Sequence, residues 1–443
     1  MGHYVISTPE EQQQMLTALG MSSMKDLYRD APQELLRMGQ LDIPAGKSEL
    51  EVRQHMEDLA GENQVFRSIF RGAGAYDHYI PAIVKQVTSK EAFVTAYTPY
   101  QAEVSQGVLQ SIFEYQTMIC ELTGMDVSNA SVYDGATAAA EAVVMCRTRK
   151  KNKALVSGAL HPDVIRTVQT YCHSAGIPVE ILPVKAGRTD LDALPGLLTE
   201  DVSCLLLASP NYYGQWEDSE AWAEQAHGAG AKFILSVNPI ALGLFQTPGA
   251  LGADIAVGDG QPLGMPLSFG GPYLGFMAAK AELTRQLPGR IVGETVDVDG
   301  KRGFVLTLQA REQHIKREKA TSSICSNEAL CALTASVYLA AMGPEGLAEA
   351  ARQCYNKAHY LADALTRIPG VELVYPGAYF NEFVIRTPFC GQDLETFLTG
   401  HGVLGGLPLG DRQTLWCCTE KNSRSQMDQV AALVAQYAEE VAK

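Results

Sequence analysis

The chain has 443 residues, of which 46% are hydrophobic and 19% are charged, and its formal net charge is −15. This composition excludes an intrinsically disordered protein, and the excess of acids argues against a protein that coats nucleic acid. No apolar run reaches the ~20 residues of a membrane span, and the start lacks the features of a secretory signal. At about 150 residues per domain, two or three domains are expected.

The first helical signals form an amino-terminal arm, residues 1–65. Thr8-Pro9-Glu10-Glu11 and Ser48-Glu49-Leu50-Glu51 are both capping boxes, each followed by apolar residues at helical spacing. Such short helices are not stable alone, so we expect the arm to pack on its own core or on another subunit.

Residues 66–330 predict a large α/β domain. Amphipathic stretches, such as 162–174 and 219–228, separate short apolar runs, which is typical of a buried and mostly parallel sheet. A ligand is expected at the carboxyl ends of its strands. The predicted strands are 154–157, 179–184, 202–208, 232–237 and 255–257.

Residues 331–443 predict a long helix and a small α+β domain. Helical patterns over 327–341 and 344–367 meet at Met342-Gly343. Upstream of them, the glycine- and acid-rich segment 289–303 predicts a hairpin or loop. The ten cysteines show no CxxC spacing, which argues against a metal site and indicates reduced thiols in a cytoplasm. The small domain is predicted from strands 371–375, 380–386 and 415–419 and helices 392–400 and 423–443.

Gly135-Ala136-Thr137 opens an alanine-rich helix, whose backbone N–H groups suit a phosphate. On the residues alone, an ordinary helix start packed on a sheet is the better interpretation. A glycine-rich segment, 264–275, follows the last predicted strand. This order resembles the fold-type-I pyridoxal-phosphate enzymes, which implies a large domain with a mostly parallel seven-stranded sheet and a small C-terminal domain.

Two groups that such an enzyme needs are missing. No lysine lies between Lys232 and Lys280, and Asp259-Gly260-Gln261 stands where Ser/His-x-Lys is expected, with Gln261 near the Schiff-base position. No aspartate lies between Asp218 and Asp254 to pair with the pyridinium nitrogen. Both absences favour a site that cannot hold the cofactor covalently.

Three long segments resemble the amino-terminal, or alpha, half of the glycine cleavage P-protein family. They are FRGAGAYDHYIP (70–81), YTPYQAEVSQG (97–107) and REQHIKREKATSSIC (311–325). The resemblance implies an α2β2 assembly in which a beta subunit binds pyridoxal phosphate covalently. The pair would decarboxylate glycine and pass the aminomethyl group to the lipoyl group of the H-protein. This chain would have no catalytic residue acting alone and would be inactive by itself, a bacterial cytoplasmic protein without nucleic-acid or membrane partners.

In this fold one subunit commonly completes the pocket of another. The resemblance therefore points to Tyr97, Tyr100, Gln101 and Glu103 as interface pocket lining, although a solvent-facing turn is the simpler explanation from the residues alone. Tyr76, His78 and Tyr79 form a second candidate lining. His78 is suited to relay a proton, and the alternative is a buried, hydrogen-bonded histidine.

The third candidate is Thr321-Ser322-Ser323. In this fold a loop before the long helix reaches the neighbour's cofactor phosphate, and hydroxyl groups suit that task. The preceding run, 311–319, is either a solvated charged face or a surface that meets an acidic partner. Cys325 is interpreted as packing.

Two rival hypotheses remain open. The chain is either a self-sufficient pyridoxal-phosphate enzyme with a displaced lysine, such as Lys280, or a non-catalytic scaffold or regulatory paralogue.

Overall fold

The computed structural model describes residues 6–32, 34, 36, 42–324, 326–410 and 412–442, and divides into two units, Met1–Gln64 and Val65–Lys443. The first unit contains α1 (Pro9–Ala18) and α2 (Glu49–Gly61). Both begin at the predicted capping boxes: the Thr8 and Ser48 hydroxyls accept from the N–H groups of Glu11 and Glu51, whose carboxylates accept in return. Helix α2 buries no residue.

The second unit alternates strands and helices along its first half. Its elements up to the long helix are β1 (Ser68–Ile69), α3 (Ala82–Thr88), α4 (Glu91–Val94), α5 (Gln106–Thr123), β2 (Val127–Ser128), α6 (Gly135–Met145), β3 (Lys153–Ser157), α7 (Pro162–Ala175), β4 (Val179–Leu182), β5 (Val184–Lys185), β6 (Arg188–Thr189), β7 (Val202–Ala208), α8 (Ser219–Gly228), β8 (Lys232–Ser236), β9 (Ile255–Asp259), β10 (Gly275–Ala279), β11 (Ile291–Val296), β12 (Arg302–Thr307) and α9 (Gln313–Lys316). The remaining elements are α10 (Ala329–Thr366), β13 (Glu372–Leu373), β14 (Glu382–Arg386), α11 (Gly391–Gly400), β15 (Val403–Leu404), β16 (Leu407–Gly410), β17 (Gln413–Cys417) and α12 (Arg424–Val441).

Seven strands form the central sheet in the order β2-β10-β9-β8-β7-β3-β4. Strands β4, β3, β7, β8 and β9 run parallel, and β10 is antiparallel to both of its neighbours. The predicted α/β architecture with a mostly parallel seven-stranded sheet is therefore confirmed. Strand β10 and helix α5 were not predicted, because β10 continues a glycine-rich loop and α5 follows a segment interpreted as a turn.

Both faces of the sheet are covered, as its continuous apolar strands require. Leu205 and Leu207 of β7 pack in the core that α5, α8 and the first half of α10 cover. Cys204 and Leu206 point to the opposite core, under α6 and α7. This burial on both faces explains why the strands lack the polar alternation of a half-exposed sheet.

Helix α10 bends at Gly343, whose φ of 61° precedes Pro344, at the junction that the sequence predicts. By length and composition, α10 is the one helix among the described residues that reaches the requirements of a membrane span. Its first half buries Tyr338 and Leu347 in a core of the large sheet, and its second half buries Leu361 and Leu365 in the core of the small domain. Core helices of this kind meet the same criteria.

The small domain is built on the antiparallel sheet β13-β14-β17-β16, packed with α11 and α12. Strand β1 pairs with β15, so the chain just after Gln64 adds to the carboxyl-terminal part of the molecule. Strands β11 and β12 form an antiparallel hairpin, which confirms the prediction for residues 289–303 with the second strand extending to Thr307.

Candidate active site

A cavity of about 350 Å³ lies at the carboxyl ends of β3, β7, β8 and β9, where the sequence places a ligand. The amino-terminus of α6 and the backbone of residues 73–76 close it. Its lining includes Asp134, Gly135, Ala136, His161, Tyr212, Asn238, Asp259 and Glu382. The cavity therefore occupies the ligand position that is general for open α/β sheets.

The amino-terminus of α6 already binds an anion that the chain itself supplies. The Gly135 N–H donates to Oδ2 of Asp259 (3.1 Å), and the Thr137 N–H donates to the Asp134 carboxylate (2.7 Å). A Cβ at Gly135 would lie 2.7 Å from the backbone nitrogen of Asp259, so only glycine fits this approach. The predicted phosphate loop is thus a real helix start, but a carboxylate from β9 occupies its anion position.

Gln261 is 1% exposed and acts as a clamp on the segment that closes the cavity. Its Oε1 accepts from the Tyr76 N–H (2.9 Å), and its Nε2 donates to the carbonyls of Tyr76 (2.9 Å) and Met265 (2.8 Å). The amide therefore uses both ends on the backbone and offers no nucleophile.

Pyridoxal phosphate, the cofactor that the fold implies, does not fit these residues. The described lining contains carboxylates from Asp134, Asp163, Asp259 and Glu382 but neither lysine nor arginine. A phosphate would compete with Asp259 for the N–H groups of α6 and would meet like charge. Burial raises the pKa of Asp259 to about 6, even though the N–H groups of Gln261 and Gly135 oppose the shift. The cavity therefore offers the cofactor neither a lysine for a covalent bond nor a free anion position.

Tyr76 lines the cavity and forms a hydrogen bond to the small domain. Its hydroxyl donates to Oε2 of Glu382 on β14 (2.8 Å), and the Ala73 N–H donates to Oε1 (2.6 Å). Burial raises the pKa of Glu382 to about 7, although both hydrogen bonds oppose it. A Cβ at Gly72 would lie 2.5 Å from Glu382 Oε1, so only glycine lets the backbone approach this carboxylate so closely.

His78 is buried and bound to Glu420, at 2.7 Å between Nδ1 and Oε2. The same carboxylate accepts from the Tyr79 N–H (2.6 Å) and the Cys354 thiol (3.3 Å). Burial would raise the pKa of Glu420, but the hydrogen bond and charge of His78 and the Tyr79 N–H outweigh it and lower the pKa to about 2. His78, Cys354 and Glu420 lie within 4.8 Å of one another, which makes them the metal-compatible group in the described part of the chain, yet their mutual hydrogen bonds already explain the cluster.

The other predicted lining residues lie on the surface. Tyr97 is 86% exposed, Tyr100 is 59% exposed, and Gln101 and Glu103 are exposed. None of these four lines the cavity, whereas Tyr76 does. The structure therefore does not bring the seven predicted lining residues into one pocket of this chain.

Thr321, Ser322 and Ser323 line a separate groove of about 860 Å³, whose rim carries several basic side chains. The Ser322 hydroxyl donates to Oε1 of buried Glu141 (2.9 Å) and accepts from the Ile324 N–H (3.1 Å). Burial raises the pKa of Glu141 to about 7. Ser322 is thus an anchor, while Thr321 and Ser323 are exposed. Cys325 lies outside the described residues. The basic side chains are Arg147, Arg285, Arg311, Lys316 and Lys319.

Residues 2–434 match the family model of the glycine cleavage system P-protein. The chain is 50% identical over 436 residues to the probable glycine dehydrogenase (decarboxylating) subunit 1 of Moorella thermoacetica, covering 97% of this chain and 98% of that relative. It belongs to the glycine cleavage system P-protein family. The resemblance carried by the three long segments is therefore confirmed.

Solved structures agree with this family and with the fold. The crystal structure of an inhibitor-bound glycine decarboxylase (P-protein) matches with a TM-score of 0.92 at 42% identity, over 98% of this chain and 100% of that chain. A C-DES mutant with glycine covalently linked to its PLP cofactor matches with a TM-score of 0.60 at 14% identity, over 80% of this chain and 93% of that chain. At that identity the second match supports the fold alone.

The geometry of this P-protein family member disfavours Lys280 as a displaced Schiff-base lysine. Lys280 follows β10, which is antiparallel, and its Nζ lies 3.3 Å from Asp254 Oδ1 just before β9. Lys280 therefore lies at the amino-terminal end of β9, whereas the cavity lies at the carboxyl ends of the parallel strands. The self-sufficient enzyme with Lys280 as its Schiff-base lysine is not supported.

Sequence reasoning missed Glu141, Glu382, Glu420 and Arg290. The three glutamates are isolated acids in the sequence, and only the tertiary fold buries them against their donors. Arg290 falls in the segment that was interpreted as a hairpin, where nothing local indicates that its side chain is buried.

Proposed function

We propose that this chain is the alpha subunit of a glycine dehydrogenase (decarboxylating) and works only together with a beta subunit. One observation supports this proposal above all: the chain belongs to the P-protein family, yet its own cavity does not fit the cofactor. Asp259 fills the anion position, and Gln261 stands where a lysine is needed. The cofactor is therefore expected on the partner, in an α2β2 assembly.

Pyridoxal phosphate supplies an electron sink for the carbanion that remains when glycine loses CO2. The aminomethyl group then passes to the lipoyl arm of the H-protein. We expect this chain to complete the partner's pocket from its exposed segments. Tyr97, Tyr100, Gln101 and Glu103 offer hydroxyl, amide and carboxylate groups to a small zwitterion, and Thr321 and Ser323 offer hydroxyls to a phosphate.

The surface near these segments supports an interface. Tyr79, Tyr97 and Val104 are at least 60% exposed and offer apolar area to a partner. Phe269, in the predicted glycine-rich loop, is 98% exposed and has a φ of 52°. A left-handed phenylalanine in an exposed loop is a costly arrangement, and such strain is concentrated at functional contacts.

The described cysteines are all free thiols, which fits the cytoplasmic location proposed for this enzyme. No described segment supports a nucleic-acid partner, and we propose none.

Activity of the reconstituted pair tests the proposal. The chain is mixed with a candidate beta subunit, lipoylated H-protein, glycine and pyridoxal phosphate, and exchange of labelled CO2 into glycine is measured. Exchange is expected with both subunits and not with either alone. Equal exchange from the beta subunit alone would refute the interface role.

A double variant, Tyr97→Phe with Glu103→Gln, distinguishes the scaffold hypothesis from the proposed pocket-completing role. A scaffold would keep full exchange activity, whereas a pocket-completing subunit loses it while the complex still forms. Tyr28→Phe, which changes a tyrosine that is 54% exposed in the first unit, is the matched control and is expected to retain activity.

A further inference from the structure

Arg290, just before β11, is the feature of this structure that the functions described above leave unexplained. Its side chain is among the largest fully buried ones, with 1% exposure. Its Nε and Nη2 atoms are buried without a hydrogen-bond partner, and it forms no ion pair with any described residue. The sequence has 50 acidic residues, yet none of those that the structure describes forms an ion pair with this buried guanidinium.

This arrangement is costly, because an arginine stays protonated and its desolvated charge needs a counter-charge. The nearest compensation is the ring of Tyr100, whose centroid lies 4.9 Å from Cζ of Arg290. A cation–π contact offsets only part of the loss of hydration. Arg311 is better compensated, although its Nε is also buried without a partner: its Nη2 donates to the Gly289 carbonyl (2.7 Å), and the Glu312 carboxylate lies nearby.

The guanidinium of Arg290 adjoins one of the two segments that we expect to face the partner, and its backbone is hydrogen-bonded toward the start of the long helix that follows the other. Tyr100 belongs to the exposed 97–103 segment. On the other side, the Ala130 N–H donates to the Arg290 carbonyl (2.8 Å), and the Ala130 carbonyl accepts from Asn327 (3.0 Å), just after the 321–323 segment. An anion delivered to the guanidinium would therefore lie beside Tyr100 of the 97–103 segment.

We propose that Arg290 is one half of an oxyanion site that the beta subunit completes, with Tyr100 as its movable cover. The inference rests on the proposed function. The oxyanion is either the phosphate of the partner's cofactor or a carboxylate side chain of the partner, since both match the guanidinium fork. The departing carboxylate of glycine is the poorer candidate, because an interaction that stabilises it in the ground state would slow its loss.

Two variants and one control test the site. Arg290→Met keeps most of the side-chain volume and removes the positive charge. Arg290→Lys keeps the charge but lacks the paired N–H donors of the guanidinium. Arg302→Met is the matched control, because Arg302 also lies over a ring, Phe304 at 5.0 Å, but is half-exposed and paired with Glu294.

The first measurement is thermal unfolding of the isolated chain. Arg290→Met is expected to melt at or above the wild-type temperature, because it removes an unpaired buried charge. A drop in melting temperature larger than that of Arg302→Met would show that Arg290 is a structural residue and would overturn the proposal.

The second measurement is affinity for the beta subunit, with and without its cofactor. Arg290→Met is expected to weaken binding at least about tenfold, Arg290→Lys less, and Arg302→Met not at all. A loss only with the loaded partner identifies the phosphate, and a loss in both states identifies a partner carboxylate. Affinity within twofold of wild type in both states would overturn the inference alone, whereas a wild-type chain that binds no beta subunit would refute the proposed function as well.

Discussion

The buried carboxylates around the cavity and the buried guanidinium of Arg290 are two regions that the same fold treats in opposite ways. Asp259 accepts from Gly135 and Gln261, and Glu382 accepts from Ala73 and Tyr76, so each acid is satisfied within the chain. Arg290 has no such partner among the described residues. The polar groups around the cavity are therefore hydrogen-bonded to one another, whereas the Arg290 guanidinium can still bind an anion from another molecule.

The largest expected effect concerns the close packing that places Asp259 at the helix start. Gly135→Val should lower the free energy of unfolding by about 3 kcal/mol, because its Cβ would lie 2.7 Å from the Asp259 nitrogen. Urea unfolding measures the change. Gly107→Ala is the control, since nothing lies within 4 Å of a Cβ there. Equal stability of the two variants would mean that α6 does not rest on β9 as described.

Glu420 extends the comparison to a third carboxylate that is satisfied within the chain. Its folded pKa of about 2 lies below the ordinary value of 4.5, so its ionised form stabilises the fold above about pH 4.5 and this contribution is lost as the pH falls toward 2. The contribution is on the order of 3 kcal/mol.

Glu420→Gln should therefore flatten the decline of unfolding free energy between about pH 5 and pH 2. Denaturant unfolding across this range measures it, with exposed Glu345→Gln as the control. A wild-type-like decline in Glu420→Gln would contradict the role assigned to the His78 pair.

Removing the Asp259 carboxylate tests whether it excludes other anions from the cavity. Asp259→Ser should raise the affinity of the isolated chain for inorganic phosphate about tenfold, because it frees the Gly135 N–H at the start of α6 and removes a negative charge beside it. Isothermal titration measures the gain. Asp163→Ser removes the same charge from the cavity lining without touching α6, so an equal gain there would show that net charge, rather than position, excludes phosphate.

The smallest expected effect separates an anchor from a contact residue in the 321–323 segment. Ser322→Ala should cost the isolated chain about 1 kcal/mol, because it removes the hydrogen bond to buried Glu141. Ser323→Ala should leave the isolated chain unchanged and weaken the assembled complex. Melting temperatures and binding affinities of both variants provide the readout, and identical behaviour of the two would remove the distinction.

Much of the fold follows from local patterns. Strand β7 and helix α8 coincide with their predicted ranges, and the bend in α10 falls at Met342-Gly343, because apolar runs, caps and a glycine–proline pair act over a few residues. The antiparallel β10 could not be predicted, since its direction depends on its neighbours in the sheet.

The candidate site was predictable only in part. The missing lysine is visible in the sequence, but the use of Asp259 as an internal anion requires that β9 and α6 meet in space. The burial of Arg290 could not be predicted either, because Tyr100, which covers its guanidinium, is distant in the sequence. The lack of hydrogen-bond partners at Nε and Nη2 is likewise visible only in the folded chain.

The location of the cofactor in the assembled enzyme tests the central claim most directly. The complex is reduced with borohydride, and the lysine that carries the pyridoxyl group is identified by mass spectrometry of the separated subunits. We predict one label for each pair of subunits, on a beta-subunit lysine, and none on this chain. A stoichiometric label on any lysine of this chain would contradict the account.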